Sequence, residues 1–220
     1  MKAIKITLFI LLTIVITSCG TESEKEVKYV DNAHNESFGE LRWSTNDLPI
    51  TIQVPSSYQD TQAVVDAFEN AVGVWNDALG FNALELNFEG VDVSIGKPLP
   101  LQSNTFLDDG IFSLIFPSNW FDDIENGVLA LTSFSYRDNQ ILHADIIFNN
   151  QYFNFSTSPS GNQLDIESVL IHELGHLLGL SHVEVGDDPN SVMNPRLRSG
   201  DLKRILSNQD IQTIQERYVD

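Results

Sequence analysis

The order of its periodic segments predicts an α+β fold for this chain. Short stretches that alternate apolar and polar residues occupy the first two thirds, and one long apolar stripe at helical spacing lies between the first two of them. Helix-start signals dominate the last third. Composition agrees with a globular domain: 42% hydrophobic and 20% charged residues in 220, enough chain to bury a core without cross-links. The single cysteine excludes an intrachain disulfide framework and a cysteine-based zinc cluster.

The chain opens with a basic stretch, Met1 to Lys5, and an apolar run from Ile6 to Ile16. Small residues follow, so residues 1–18 read as a secretory signal; the run is too short to span a membrane. Ile16-Thr17-Ser18-Cys19 resembles the lipobox of bacterial lipoproteins, in which the cysteine is lipidated after cleavage. Cys19 is the candidate anchor. Residues 19–38 are polar and acidic, without a sustained apolar period, and read as a flexible tether. The domain proper is expected over 39–220. These features imply an exported protein, lipid-anchored at a bacterial outer membrane or cell surface, and otherwise a soluble monomer.

Ile50 to Val54 alternates as a half-buried strand does. Val64, Phe68, Val72, Trp75 and Leu79 form the helical stripe, and Gly80 is its natural stop. Leu84–Phe88 and Val91–Ile95 alternate again and read as strands. Residues 96–127 carry prolines, glycines and the pairs Asp108-Asp109 and Asp122-Asp123, and read as a long excursion with short elements. Val128–Phe134 and Ile141–Phe148 are further strands. Asp165 can N-cap a helix running to about Leu178. Ser207 can N-cap the last helix, with Asp210 at the capping-box position. Trp75 is expected in the core, Trp43 packed, and Trp120 an anchor of the long loop.

Acidic residues number 31 against 12 basic ones, a formal charge of −19. That excludes a nucleic-acid binder, because phosphate contacts need clustered Lys and Arg. Carboxylate-bound calcium is compatible with it.

The chemistry concentrates at residues 172–182, His-Glu-Leu-Gly-His-Leu-Leu-Gly-Leu-Ser-His, which hold three of the five histidines. On a helix His172 and His176, four apart, share one face about 6 Å apart along the axis. Glu173 points beside the metal and can hold a water there. Gly179 lets the chain leave the helix and swing His182 back as a third ligand. Three protein ligands with an open position is the layout of a catalytic zinc site; structural sites are usually closed by four.

This spacing resembles the metzincin zinc peptidases. Met193, within Ser191-Val192-Met193-Asn194-Pro195, fits their Met-turn. Within that group the chain resembles the matrixins over roughly residues 40–220: Leu41-Arg42-Trp43 before the first strand, Ala67-Phe68 and Ala71 to Trp75 on the long helix, Ala144 to Asn149 on a late strand, and Leu206 to Tyr218 at the end. The resemblance implies a twisted mixed sheet of about five strands, a long N-terminal helix, an active-site helix, a Met-turn and a C-terminal helix. It implies Zn²⁺ on His172, His176 and His182, Glu173 as general base, and hydrolysis of a protein or peptide substrate. Such a substrate would lie along an edge strand at Val128–Leu131, touching the main chain of Leu129 and Ala130. Residues 194–202 would shape the pocket beyond the scissile bond.

The departures also carry expectations. The chain has no Cys after Cys19, so latency through a propeptide cysteine is not expected. Leu131 stands where matrixins often have a histidine ligand of a second, structural zinc, so no such zinc is expected. Calcium, common in the family, has candidate ligands in Asp92, Asp108, Asp109, Asp122, Asp123, Asp145 and Asn149. Asn194 replaces a frequent tyrosine. The competing function is a non-catalytic metal-binding surface lipoprotein with a peptidase-like fold; the intact Glu173 and Met193 argue against it.

Overall fold

The computed structural model describes residues 28–31, 39–90, 100–101 and 109–219. The signal segment, Cys19, the strand expected at Val91–Ile95, and Asp92 and Asp108 lie outside the described residues. Among the described residues no helix is long and apolar enough to cross a membrane.

The strands are β1 (Lys28–Asp31), β2 (Ile50–Pro55), β3 (Leu84–Gly90), β4 (Leu114–Ile115), β5 (Ala130–Arg137), β6 (Gln140–Phe148), β7 (Phe155–Ser156) and β8 (Leu164–Asp165). The helices are α1 (Gln62–Leu79), α2 (Ile166–Leu177) and α3 (Asn208–Tyr218). This is the expected mixed α+β architecture, with α1 between two parallel strands, β2 and β3. The larger sheet has the order β1-β5-β6-β4, with β1 and β6 antiparallel to β5 and β4 parallel to β6. The β2-β3 pair adjoins the β4 edge: the Gln53 amide donates to the Phe112 carbonyl at 2.7 Å, and Gln53 bridges Ser113.

The β5-β6 hairpin runs three residues past the end expected for the first of its strands. Asp138 and Asn139 both take positive φ, 53° and 64°, the geometry of a two-residue turn matched to strand twist. Buried polar residues on one face interrupt the apolar alternation there. Ser133 faces Asp145 and Ser135 faces His143 across the ladder. Two of them pair directly, with His143 Nε2 2.9 Å from Asp145 Oδ2, and the Ser113 amide donates to Asp145 Oδ1 at 3.0 Å. Burial pushes the Asp145 carboxyl upward, with His143 opposing that shift.

Side chains of β6 alternate between two apolar clusters. Ala144, Ile146 and Phe148 enter the main core with α1 and α2. Ile147 enters a second cluster with Leu131, Leu101, Ile115, Trp120, Phe121 and Ile124. The excursion around 116–127 therefore covers the far face of the sheet, and Trp120 is buried in that cover. Val128 belongs to a turn, its amide donating to Glu125 O, so β5 begins at Ala130.

On α1 the stripe buries Phe68, Val72, Trp75 and Leu79, with Ala67 and Ala71 beside it, and Gly80 closes the helix at φ 75°. Trp75 is fully buried. A tryptophan hiding 150–250 Å² is stabilised by roughly 4–6 kcal/mol as an upper bound. Its indole N–H donates to the Ile171 carbonyl at 2.9 Å, and that of Trp43 to the Leu177 carbonyl at 2.8 Å. Two indoles thus fix the middle and the end of α2 to the rest of the core.

Candidate metal centre and active site

Helix α2 starts where the sequence expects. The Asp165 carboxylate accepts the Ser168 amide at 3.0 Å and hydroxyl at 2.6 Å. Arg204 reaches in from the last loop, donating to both Asp165 oxygens and pairing with Glu167 at 3.0 Å. Burial alone would raise the Asp165 pKa, but these Arg204 and Ser168 bonds hold it below the ordinary value.

The helix ends in a Schellman motif. Gly179 at φ 87° sends its amide to His176 O, and Leu180 sends its amide to Gly175 O at 2.9 Å. A Cβ on Gly179 would run into the Leu41 carbonyl, so both the conformation and the close approach require glycine. The reversal has a direct consequence for the site. It brings the Leu180 carbonyl to 2.7 Å from His176 Nδ1 and returns His182 to the ligand face.

His172, His176 and His182 form one cluster whose ligand atoms all lie within 4.8 Å of one another. His172 Nδ1 is 2.8 Å from the Val192 carbonyl. A carbonyl is acceptor-only, so the proton sits on Nδ1 in both His172 and His176, and each Nε2 presents a lone pair. Those two Nε2 atoms face each other at 2.9 Å. Two lone pairs at that distance repel unless a cation lies between them, and neutral imidazole is a good zinc ligand, so the donor set fits Zn²⁺. Burial first, then the neighbouring His182, depresses the His172 pKa to about 4. Burial, then His172 and His182, holds His176 well below its ordinary value. The imidazoles are therefore neutral and ready to ligate at neutral pH.

Glu173 is buried beside the triad, and Thr132 Oγ1 lies 2.7 Å from its Oε2 and 3.1 Å from its backbone oxygen. Met193 lies under α2; a Cβ on Gly175 would collide with its sulfur and come within 2.8 Å of Trp75. Residue 175, unassigned in the motif by spacing alone, is thus a packing requirement.

The Met-turn is held from three sides. The Val183 amide donates to Met193 O at 2.9 Å, and Asn194 Nδ2 donates to Val183 O and Asp188 O, each at 2.9 Å. Lys203 Nζ donates to Asn194 Oδ1, Ser191 O and Pro189 O. Asp210 builds the expected capping box on α3 and also accepts the Ser191 hydroxyl at 2.5 Å and the Val192 amide at 2.9 Å. Asn194, where a tyrosine is frequent in matrixins, therefore ties the chain after His182 to the Met-turn. The bracing by Thr132, Lys203 and the second role of Asp210 had no signal in the sequence, because each partner is distant along the chain.

The Leu129 carbonyl accepts the Asn149 amide at 2.9 Å, so its polar main-chain group faces β6. Strand alternation turns the main chain of Ala130 to the opposite edge. Farther along that edge β1 pairs with Ser133 to Tyr136. Lys28–Asp31 thus forms a strand within the stretch read as a tether. Calcium is not supported. Asp145 is committed to His143 and Ser113, Asn149 to the Asn126 and Val128 carbonyls, and Asp123 to the Leu101 amide. Among the described residues the histidine triad is the one cluster with metal-ligand spacing.

Comparison with known proteins finds matches over the same stretch of chain. The matrixin family model matches residues 113–219, which include the triad, Glu173 and the Met-turn. Metalloendoproteinase 2-MMP of Arabidopsis thaliana is 30% identical over 82% of this chain and 43% of its own length. Metalloendoproteinase 4-MMP of the same plant is 29% identical over 93% of this chain and 57% of its own. A solved zinc-dependent peptidase from Methanocorpusculum labreanum aligns with 74% of this chain and 98% of its own at a TM-score of 0.42 and 14% identity. Over residues 113–219 the chain is matrixin-like. It spans about half the length of these plant relatives.

Proposed function

We propose that this protein is a zinc-dependent endopeptidase. The observation that carries the reading is the cluster of three imidazoles, two of them neutral and oriented by main-chain carbonyls, with Glu173 buried next to His172 on the same helix. His172, His176 and His182 would hold the metal. Bound zinc supplies a Lewis acid for the scissile carbonyl and acidifies an attacking water. Glu173 takes the proton of that water and delivers it to the leaving nitrogen. A peptide adds to the sheet edge at Ala130, where main-chain groups turn outward. Because β1 occupies the same edge from Ser133 onward, the pairing is confined to the start of β5. Cys19 would anchor the enzyme by lipid at a cell surface, as the lipobox resemblance suggests.

The test is hydrolysis of an unfolded protein by the zinc-loaded chain beside Glu173→Ala. Cleavage that stops with a chelator and is lost in the variant, with zinc still bound, supports the reading. Tight zinc binding without cleavage would favour the metal-binding surface protein instead.

A further inference from the structure

We propose that Thr132 is a positioning residue for Glu173, its hydroxyl fixing the side-chain rotamer of the carboxylate. This deepens the peptidase reading and rests on it. A glutamate side chain has three rotatable bonds, and a carboxylate that must reach a reacting water has to be held to a fraction of an ångström. Helix α2 fixes the Glu173 backbone but does not by itself set the side-chain torsions.

Thr132 comes from a different layer, on β5 opposite Ile146 of β6, and is fully buried. Its Oγ1 is 2.7 Å from Glu173 Oε2 and 3.1 Å from Glu173 O. Both oxygens are acceptors, and the hydroxyl has one proton. The shorter distance, to the carboxylate oxygen, is that of a well-formed hydroxyl hydrogen bond. Since both acceptors belong to Glu173, rotation of the hydroxyl moves the bond between side chain and backbone without losing the residue. The β-branched threonine is itself stiff at χ1, and its strand is clamped in the sheet, so the donor is preorganised.

The experiment uses Thr132→Val, which keeps the shape and removes the hydroxyl, and Thr132→Ser, which keeps the hydroxyl. Both are made in the wild-type and Glu173→Ala backgrounds of the zinc-loaded protein. Thr132→Val should lower kcat about tenfold or more, with KM changed less than about twofold and one zinc retained. Thr132→Ser should stay within about threefold of wild type. Independently of activity, Thr132→Val should shift the urea unfolding constant about tenfold in the wild-type background and less than about threefold with Ala at 173. Equal shifts in the two backgrounds, or a serine variant as impaired as the valine one, overturn the proposal. A wild-type chain that cleaves nothing while the coupling is present overturns the peptidase reading and leaves the contact standing, so the two failures are told apart.

Discussion

Replacing Asp210 by alanine should loosen a zinc ligand that Asp210 never touches. Its carboxylate accepts the Val192 amide at 2.9 Å, and the carbonyl of the same residue lies 2.8 Å from His172 Nδ1. One residue thus spans from the cap of α3 to a candidate metal-ligating imidazole. Alanine removes the acceptor of two buried donors, the Val192 amide and the Ser191 hydroxyl, and of the partly exposed Ser207 amide. At about 1–3 kcal/mol for each buried donor left without a partner, and less for the exposed one, the cost is about 2–6 kcal/mol. Loss of an outer-shell partner commonly weakens metal binding about 10–100-fold, and the same is expected here. Asparagine is the control. Its oxygen can keep both amides while its NH₂ faces the Ser191 oxygen, which can accept, so it should cost about 1 kcal/mol. Urea unfolding of the zinc-loaded protein gives the first quantity, and competition against a chromophoric chelator gives the second. If alanine lowers stability as stated but leaves zinc affinity within about twofold, the Val192 link to His172 does not transmit. If asparagine is as damaging as alanine, net charge matters there and hydrogen-bond geometry does not.

Two further outcomes follow from the same geometry. Gly179→Ala forces a side chain into positive φ and against the Leu41 carbonyl, so it should cost more than about 3 kcal/mol and yield protein with little bound zinc; a soluble, zinc-replete variant with an unchanged unfolding midpoint would contradict the packing described. The metal-free protein should lose stability as pH falls. His172 titrates near 4 when folded, against an ordinary 6.5, so below 6.5 the unfolded chain binds more protons, and stability drains between about 6.5 and 4. Urea midpoints of chelator-treated protein that match at pH 7.5 and 5 would refute this.

Much of the site was legible because its chemistry is local. His172, Glu173 and His176 share one turn and the next, Gly179 announces the reversal, and His182 follows within three residues. The caps at Asp165 and at Ser207 with Asp210 were legible for the same reason, since each bonds within three residues of itself. The strand β5 was harder. Ser133, Ser135, His143 and Asp145 are polar yet buried, and their burial is possible only because the hairpin sets them against one another. Calcium was an expectation that the described residues do not support: Asp145 and Asn149 look like open ligands until the fold shows the partners they already have.

By itself the sequence determined the α+β order of elements and the clustering of His172, His176 and His182 next to Glu173, because helical spacing and glycine geometry act within a few residues. Tertiary structure decided what holds them in register. Thr132 bonds Glu173 from a strand 41 residues away, and Asp210 braces the Met-turn across 18–19 residues. Arg217 gathers the Leu41 and Gly179 carbonyls from opposite ends of the domain. No periodicity or spacing encodes such pairs; they exist only after burial of the apolar faces has brought distant segments together and removed the water that would otherwise satisfy their polar groups.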